Sequence, residues 1–319
     1  MRLFSLSLLG SFLVSTAAAD PAAEMASFSV FPNVNVAELA KGEAKVAHGP
    51  ALSGSLISAQ SCFVVAGAPA RVSDALRQWN PARHSELKVM IHSDLPGSPT
   101  AASFSRLASA PDNGAVRSLV SATQKLSPDL QISKAEEKRF AGLTGDRMAG
   151  PIAAAWAEVL SARARAGRSG QPPYDHTGQN VRPSDELNGL LRANDKIARQ
   201  FSGVLSGGGD PFWELLTADE KGVLTLGASF RRSGNNGTYQ AADVLYYASG
   251  GFYAGLTLYQ LWPVDVGGKP ATLVWRGDFI SSAEVAGLRG IERVASESAM
   301  MRDISKAVSL FRRDTGPAR

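Results

Sequence analysis

Four stretches near the end of the chain decide the fold: GVLTLGASFRR (222–232), YQAADVLYYAS (239–249), FYAGLTLYQLW (252–262) and TLVWRGDFI (272–280). The first alternates, with Leu224, Leu226, Ala228 and Phe230 on one side. A period of two puts these residues on one face of a strand. Asn235-Asn236-Gly237, Gly250-Gly251 and the run Val266 to Pro270 fall between the stretches. These residue types form tight turns, so the pattern predicts an antiparallel β-meander.

The sequence after the meander predicts a long helix. Ser281 and Glu284 have capping-box spacing, and from Ile291 onward Val294, Met301, Ile304, Val308 and Phe311 form an apolar stripe that can lie along a sheet. Before the meander the middle of the chain is helical. Ser133 with Glu136 caps one segment, and Pro151 opens another that carries Ile152, Trp156, Val159 and Leu160. From Ser184 the residues Leu187, Leu190, Leu191, Ile197, Phe201, Val204 and Leu205 predict one amphipathic helix, stopped by Gly207-Gly208-Gly209. Residues 161–183 lack periodicity and are rich in breakers, which makes them a candidate internal boundary. Nearer the N-terminus, Ser55 to Ala66 reads as a strand, and Pro69 opens a helix with Val72, Ala75, Leu76 and Trp79 on one face. Glu86 to Asp94 alternates as a half-buried strand, and 20–53 reads as loosely structured apart from a short helix after Asn35. The expectation is an α+β chain with a meander packed by a C-terminal helix, and a single domain over 54–319.

Residues 1–19 have the form of a secretory signal peptide. Arg2 precedes the apolar run Leu3 to Val14, and Ala17-Ala18-Ala19 offers small residues to a signal peptidase. The expected location after cleavage near Ala19 is periplasmic or secreted. No later apolar run approaches the roughly 20 residues of a transmembrane helix. A formal net charge of +4, spread without basic runs, gives no footprint for nucleic acid. Cys62 is the single cysteine and lies in the apolar run SCFVVAG, so it reads as a buried thiol that cannot form an intrachain disulfide.

Recognisable catalytic signatures are missing: no G-x-S-x-G, phosphate loop, H-E-x-x-H, paired CxxC or dinucleotide fingerprint occurs. No cofactor or metal is expected. His84, Glu86, His92 and Asp94 are metal-type ligands, but on one extended strand Glu86 and His92 would stand about 20 Å apart at roughly 3.3 Å per residue. Tyr174-Asp175-His176 reads as a surface triplet in the linker.

The meander concentrates the aromatics. Tyr246, Tyr247, Tyr253, Tyr259, Trp262 and Trp275 are candidate ligand-binding residues, and the neighbours Tyr246 and Tyr247 are expected on opposite faces. Glu297 falls on the apolar stripe of the last helix, where a carboxylate needs a partner; Arg276 is the leading candidate.

The run YYASGGFYAGLTLYQLWPV (246–264), TLVWRGDFISSAEVAGLRGIERVASESAMMRDI (272–304) and, more faintly, SCFVVAGAPARVSDALRQWNP (61–81) resembles a family of exported bacterial proteins. That resemblance implies export and no mechanism. A strand, an A-P-x-x-V helix at 68–72, a later meander and a long final helix are similar in outline to START-like helix-grip domains, which hold apolar ligands. In such a fold the helices of 99–205 would be a large insertion. The function expected is that of an exported protein binding an apolar or lipid-like ligand between meander and last helix. The alternatives are a periplasmic hydrolase with a site built from scattered residues, and an interaction protein of the cell envelope.

Overall fold

The computed structural model describes residues 20–42, 44–52 and 54–316; the expected leader, 1–19, lies outside the described residues. Its centre is an antiparallel sheet of eight strands in the order β1-β2-β8-β7-β6-β5-β4-β3. The meander is β5 (Lys221–Ser233), β6 (Tyr239–Ala248), β7 (Ala254–Val266) and β8 (Lys269–Ser281), with β4 (Asp210–Ala218) before it. β2 (Leu56–Ala66) pairs with β8 along its whole length, β1 (Lys45–His48) forms one edge, and β3 (Val89–Asp94) the other. Gly267 and Gly268, at φ 62° and 78°, close the β7–β8 hairpin with the doubly positive backbone that a two-residue turn needs.

One face of the sheet is covered by α1 (Pro21–Phe28), α4 (Gly114–Lys125), α6 (Gly150–Ala166), α7 (Pro183–Arg192) and α8 (Asp195–Gln200), which share a core with the strands. Leu224, Leu226, Ala228 and Phe230 all point into this core, as their alternation requires. Phe28, Phe201, Trp262 and Trp275 make an aromatic cluster within it, with ring centroids 5.0 to 6.3 Å apart. Fully buried Arg163 donates from Nε to Glu136 at 2.7 Å, and its guanidinium lies 4.3 Å from the Tyr247 ring centroid. The opposite face carries a smaller core, where α3 (Pro69–Gln78) and α10 (Gly290–Thr315) meet Phe63, Val65, Tyr259, Leu261 and Val274. α10 runs along β1 and β2, whereas α3 sits over β6 to β8.

Several expectations change. Residues 20–53 are not loose: they hold α1, α2 (Val36–Lys41) and β1, and Met25, Phe28 and Leu39 are core residues. The breaker-rich segment begins only after α6 ends at Ala166, and it sends Gln171 and Tyr174 into the interior. The amphipathic helix expected from Ser184 is two helices. Pro183 opens α7, and Asn194 caps α8 by accepting hydrogen bonds from the amides of Lys196 and Ile197. The capping serine before α9 (Ala283–Gly287) is Ser282, one residue later than expected. Ser85–Leu87 is a 3-10 turn, not strand, because Lys88 turns the chain through φ 57° before β3 starts. The capping box of Ser133 and Glu136 is present as expected.

Tyr246 and Tyr247 do not divide between the faces. The β5–β6 register slips by one residue between Leu226 and Gly227, leaving Tyr246 unpaired, and both tyrosines enter the larger core.

Candidate functional site

The face under α10 differs in kind from the helix-covered one. Reading across the register, one row is Phe212, Gly227, Leu245, Gly255, Ile280, Ile57; the next is Ser229, Asp243, Thr257, Asp278, Ala59. Tyr259, Arg276 and Ser61 follow one step further. An apolar row thus lies beside a polar one, both on the face that carries α10 and α3.

The polar row is a connected set. Asp278 accepts from Arg276 Nε at 2.8 Å and Nη2 at 2.7 Å, and from Thr257 Oγ1 at 3.0 Å. Burial works against the Arg276 charge, but Asp278, Tyr259 and Asp243 together outweigh it and the guanidinium stays protonated. The Ser229 hydroxyl donates to Asp243 Oδ1 at 2.6 Å. Burial pushes the Asp243 carboxyl above the usual carboxylate range; Ser229 and the Arg276 charge only partly oppose this. At the β3 edge His92 Nδ1 lies 2.9 Å from Glu214 Oε1, and its ring is 5.4 Å from that of Phe212. Gly227 is required here, since a Cβ at that position would fall 2.4 Å from the Phe212 ring.

Beside the apolar row, where α9 and α10 cross the lower end of the sheet, is a cavity of about 560 Å³. Ile57, Leu87, Phe252, Ile280, Val285 and Met300 give it an apolar lining, and Ser296, Ala299 and Asp303 show that one side of α10 forms its wall. The predicted stripe fails at its start. Ile304, Val308 and Phe311 pack on the sheet, Ser296 to Asp303 border the cavity, and before them Ile291 and Val294 are 89% and 52% exposed. Glu86, Asp219, Glu284 and Asp303 line the cavity against one basic side chain, Lys88. A second pocket of about 430 Å³ shares Asp219 and Glu284 and includes Tyr174, His176 and Tyr253. A depression of about 800 Å³ lies beside α1 and α2, with Lys45 of the edge strand β1 the one sheet residue in its wall.

The expected site residues scatter. Tyr246, Tyr247, Trp262 and Trp275 are buried in the larger core, where Trp275 Nε1 donates to Gln60 at 3.0 Å. Tyr253 stacks on Tyr174 at the second pocket. Only Tyr259 and Arg276 meet on the α10 face, 5.6 Å apart. Arg276 does not pair with Glu297: it turns to Asp278, two residues along its own strand face. Glu297 instead lies 3.0 Å from His48 Nδ1 and 3.5 Å from Arg293 Nε. His84 and His92 are also apart, paired with Asp314 at 2.8 Å and with Glu214, and no metal-binding cluster occurs among the described residues. Sequence reasoning missed Asp243, Asp278 and Glu214. The usable signal was an acid inside an otherwise apolar strand, as in AADVL, RGDFI and FWELL.

No protein-family model and no curated protein matches the chain. Among solved structures, Ara h 8.0201 matches at 12% identity over 42% of this chain and 91% of its own, with a TM-score of 0.21. A likeness that slight carries no argument about fold or ligand.

Proposed function

We propose that this chain is an exported binding protein that holds a small ligand with an apolar body between its sheet and its last helix. The observation that carries the reading is the cavity beneath α9 and α10, whose volume of about 560 Å³ falls in the range of small-molecule sites, roughly 300–1,000 Å³. The order of strand, helix, meander and final helix supports the likeness in outline to a helix-grip domain, with the helices of 99–205 as the insertion, and the leader-like residues 1–19 support export. Hydrolysis is the weaker reading. His92 Nδ1 is engaged by Glu214, and no hydroxyl or thiol of the described residues is hydrogen bonded to that ring.

The test is titration of the purified protein with decanol, alongside the variant Ala299→Trp, which puts an indole into the cavity from α10. The parent should bind saturably and the variant should not, with melting temperatures matching within about 2 °C. Absence of decanol binding by the parent, or undiminished binding by Ala299→Trp, would remove the cavity as the site.

A further inference from the structure

The sequence holds three asparagine–glycine pairs: Asn113-Gly114, Asn188-Gly189 and Asn236-Gly237. Such a pair is chemically labile. Glycine has no Cβ to crowd its own amide nitrogen or restrict its backbone, so that nitrogen can reach the carboxamide carbon of the asparagine before it. All three asparagines are exposed, and accessibility does not separate them. Their hydrogen bonds and backbone do.

Asn113 caps α4. Its Oδ1 accepts from the amide of Val116 at 3.0 Å and its Nδ2 donates to Met90 Sδ at 3.1 Å, so both ends of the carboxamide are fixed. Asn188 lies inside α7. Past the first turn of an α-helix each amide donates to the carbonyl four residues back, and the Gly189 nitrogen is held in that ladder. Asn236 stands at the tip of the β5–β6 connection. Its carboxamide has no hydrogen-bond partner among the described residues, and the amide of Gly237 donates to none. The turn is closed around this pair, by Gly234 N to Thr238 O at 2.8 Å and Thr238 N to Asn235 O at 3.1 Å. Asn236 itself has φ 54°, a left-handed conformation that costs a side-chain-bearing residue energy. Around Gly237 there is room to move: a Cβ there would have Pro263 Cγ as its nearest neighbour, 3.9 Å away.

We propose that Asn236 is the position at which the folded chain deamidates first. The Gly237 nitrogen gives up its proton to solvent base and attacks Cγ of Asn236. The N–Cγ bond forms, the Cγ–Nδ2 bond breaks, and ammonia leaves with a proton from water. A water molecule then opens the resulting five-membered imide at one of its two carbonyls. One route leaves aspartate, the other isoaspartate with the main chain running through Cγ. Water is the only co-reactant, and nothing is oxidised or reduced. Either product adds a negative charge beside the exposed Arg231 and Arg232. Isoaspartate also lengthens the main chain inside the turn that sets the pairing of Ser233 with Tyr239.

The test incubates the full chain at pH 8, folded and in guanidinium chloride, and follows the three asparagines by peptide mass spectrometry. Isoaspartate is scored by methyl transfer from an isoaspartyl methyltransferase. In the folded chain position 236 should convert roughly 5-fold or more faster than 113 or 188, because each of those must first give up hydrogen bonds. In guanidinium chloride the three rates should converge, since the fold no longer separates them. The rate at 236 should rise with pH, as the attacking nitrogen must lose its proton. Asn236→Gln should abolish the early conversion; if that variant does not fold, the time course of the parent decides alone. Conversion at 113 or 188 as fast as at 236 in the folded chain overturns the inference. So does the same order of rates in guanidinium chloride, which would assign the preference to neighbouring sequence instead of the turn.

Discussion

The two faces of the sheet are built from the same alternating strands but serve different ends. On one, Trp156, Trp213, Trp262, Trp275 and Tyr247 are sealed under helices, and the single buried cation, Arg163, is fully engaged. On the other, α10 lies along β1 and β2 and α3 over β6 to β8, and a cavity remains where α9 and α10 cross the end of the sheet. Both faces contain a carboxylate–guanidinium pair. Arg163–Glu136 is dry and ties α6 to the capping box of α5 (Lys134–Glu137), whereas Arg276–Asp278 stands in a row that still has unmet hydrogen-bonding groups. Buried polar atoms without a partner occur on both faces, Trp213 Nε1, Tyr247 Oη and Trp262 Nε1 under the helices and Ser61 Oγ and Thr225 Oγ1 on the other, so the faces differ in closure, and the cavity under α9 and α10 marks the one with room for a ligand.

The hardest test of that contrast is Arg163→Leu. It strands Glu136 without its cation in a closed core and should cost about 3–5 kcal/mol, read as a lower midpoint in urea with an unchanged slope. Adding Glu136→Met to the same chain should restore most of the loss, because two apolar side chains can fill the site of a buried pair at little net cost. A loss under about 1 kcal/mol in the single variant would mean that the helix-covered face is not as dry as its packing implies.

On the open face the sign reverses. The folded-state pKa of Asp243 is raised, first of all by burial, so the protein favours the protonated acid. Stability from this group is present below the unfolded aspartate value and is lost as the pH rises through the folded one. Asn cannot ionise and escapes that loss. Without ligand, Asp243→Asn should therefore melt a few degrees higher than the parent at pH 8, and the two should converge by pH 4. Comparing variant with parent at each pH cancels groups that titrate alike in both, such as Asp314, whose carboxyl is held below its usual range by Trp79 and His84. A variant that melts lower at pH 8 would show that Asp243 is satisfied as an anion by Ser229 and the Arg276 charge.

How much of this the sequence disclosed follows from where the chain signals itself. The four meander strands could be read because glycine and asparagine turns separate them and one face is uniformly apolar. β4 was missed because its turn into β5, Asp219-Glu220, adopts positive φ of 44° and 63° without a glycine or asparagine, and because Gly207 to Gly209 and Pro211 look like loop. Tyr246 and Tyr247 misled because a bulge breaks strict alternation, a backbone event with no residue signature. The candidate site was largely illegible. Asp243 and Asp278 are 35 positions apart in sequence. They come near each other only because Thr257 stands between them in the register. The burial of Cys62, whose thiol burial pushes up to about 12, was legible because it needed only a local apolar run.

The smallest expected effect concerns Glu297, where sequence and structure part most clearly. On a helix buried from its first turn, a carboxylate at this position would need a buried cation, and its loss would be severe. The first turns of α10 are not buried in that way: Ile291 and Val294 are exposed, and the helix is anchored there by Arg293, which donates to the carbonyls of Leu52 and Gly54 at 3.0 and 3.3 Å. Glu297 keeps 18% of its side chain exposed, and its partner His48, at the edge strand, keeps 45%. Solvent screens such a pair, and exposed pairs contribute about 0–1 kcal/mol. Glu297→Gln should accordingly shift the urea midpoint by no more than about 1 kcal/mol, and high salt should shrink the difference further. Arg293→Ala, which releases the carbonyl anchors, should be the more damaging change at the same end of the helix. If Glu297→Gln instead proves as costly as Arg163→Leu, the beginning of α10 is closed against the sheet in solution, and the open face is narrower than the cavity beneath it suggests.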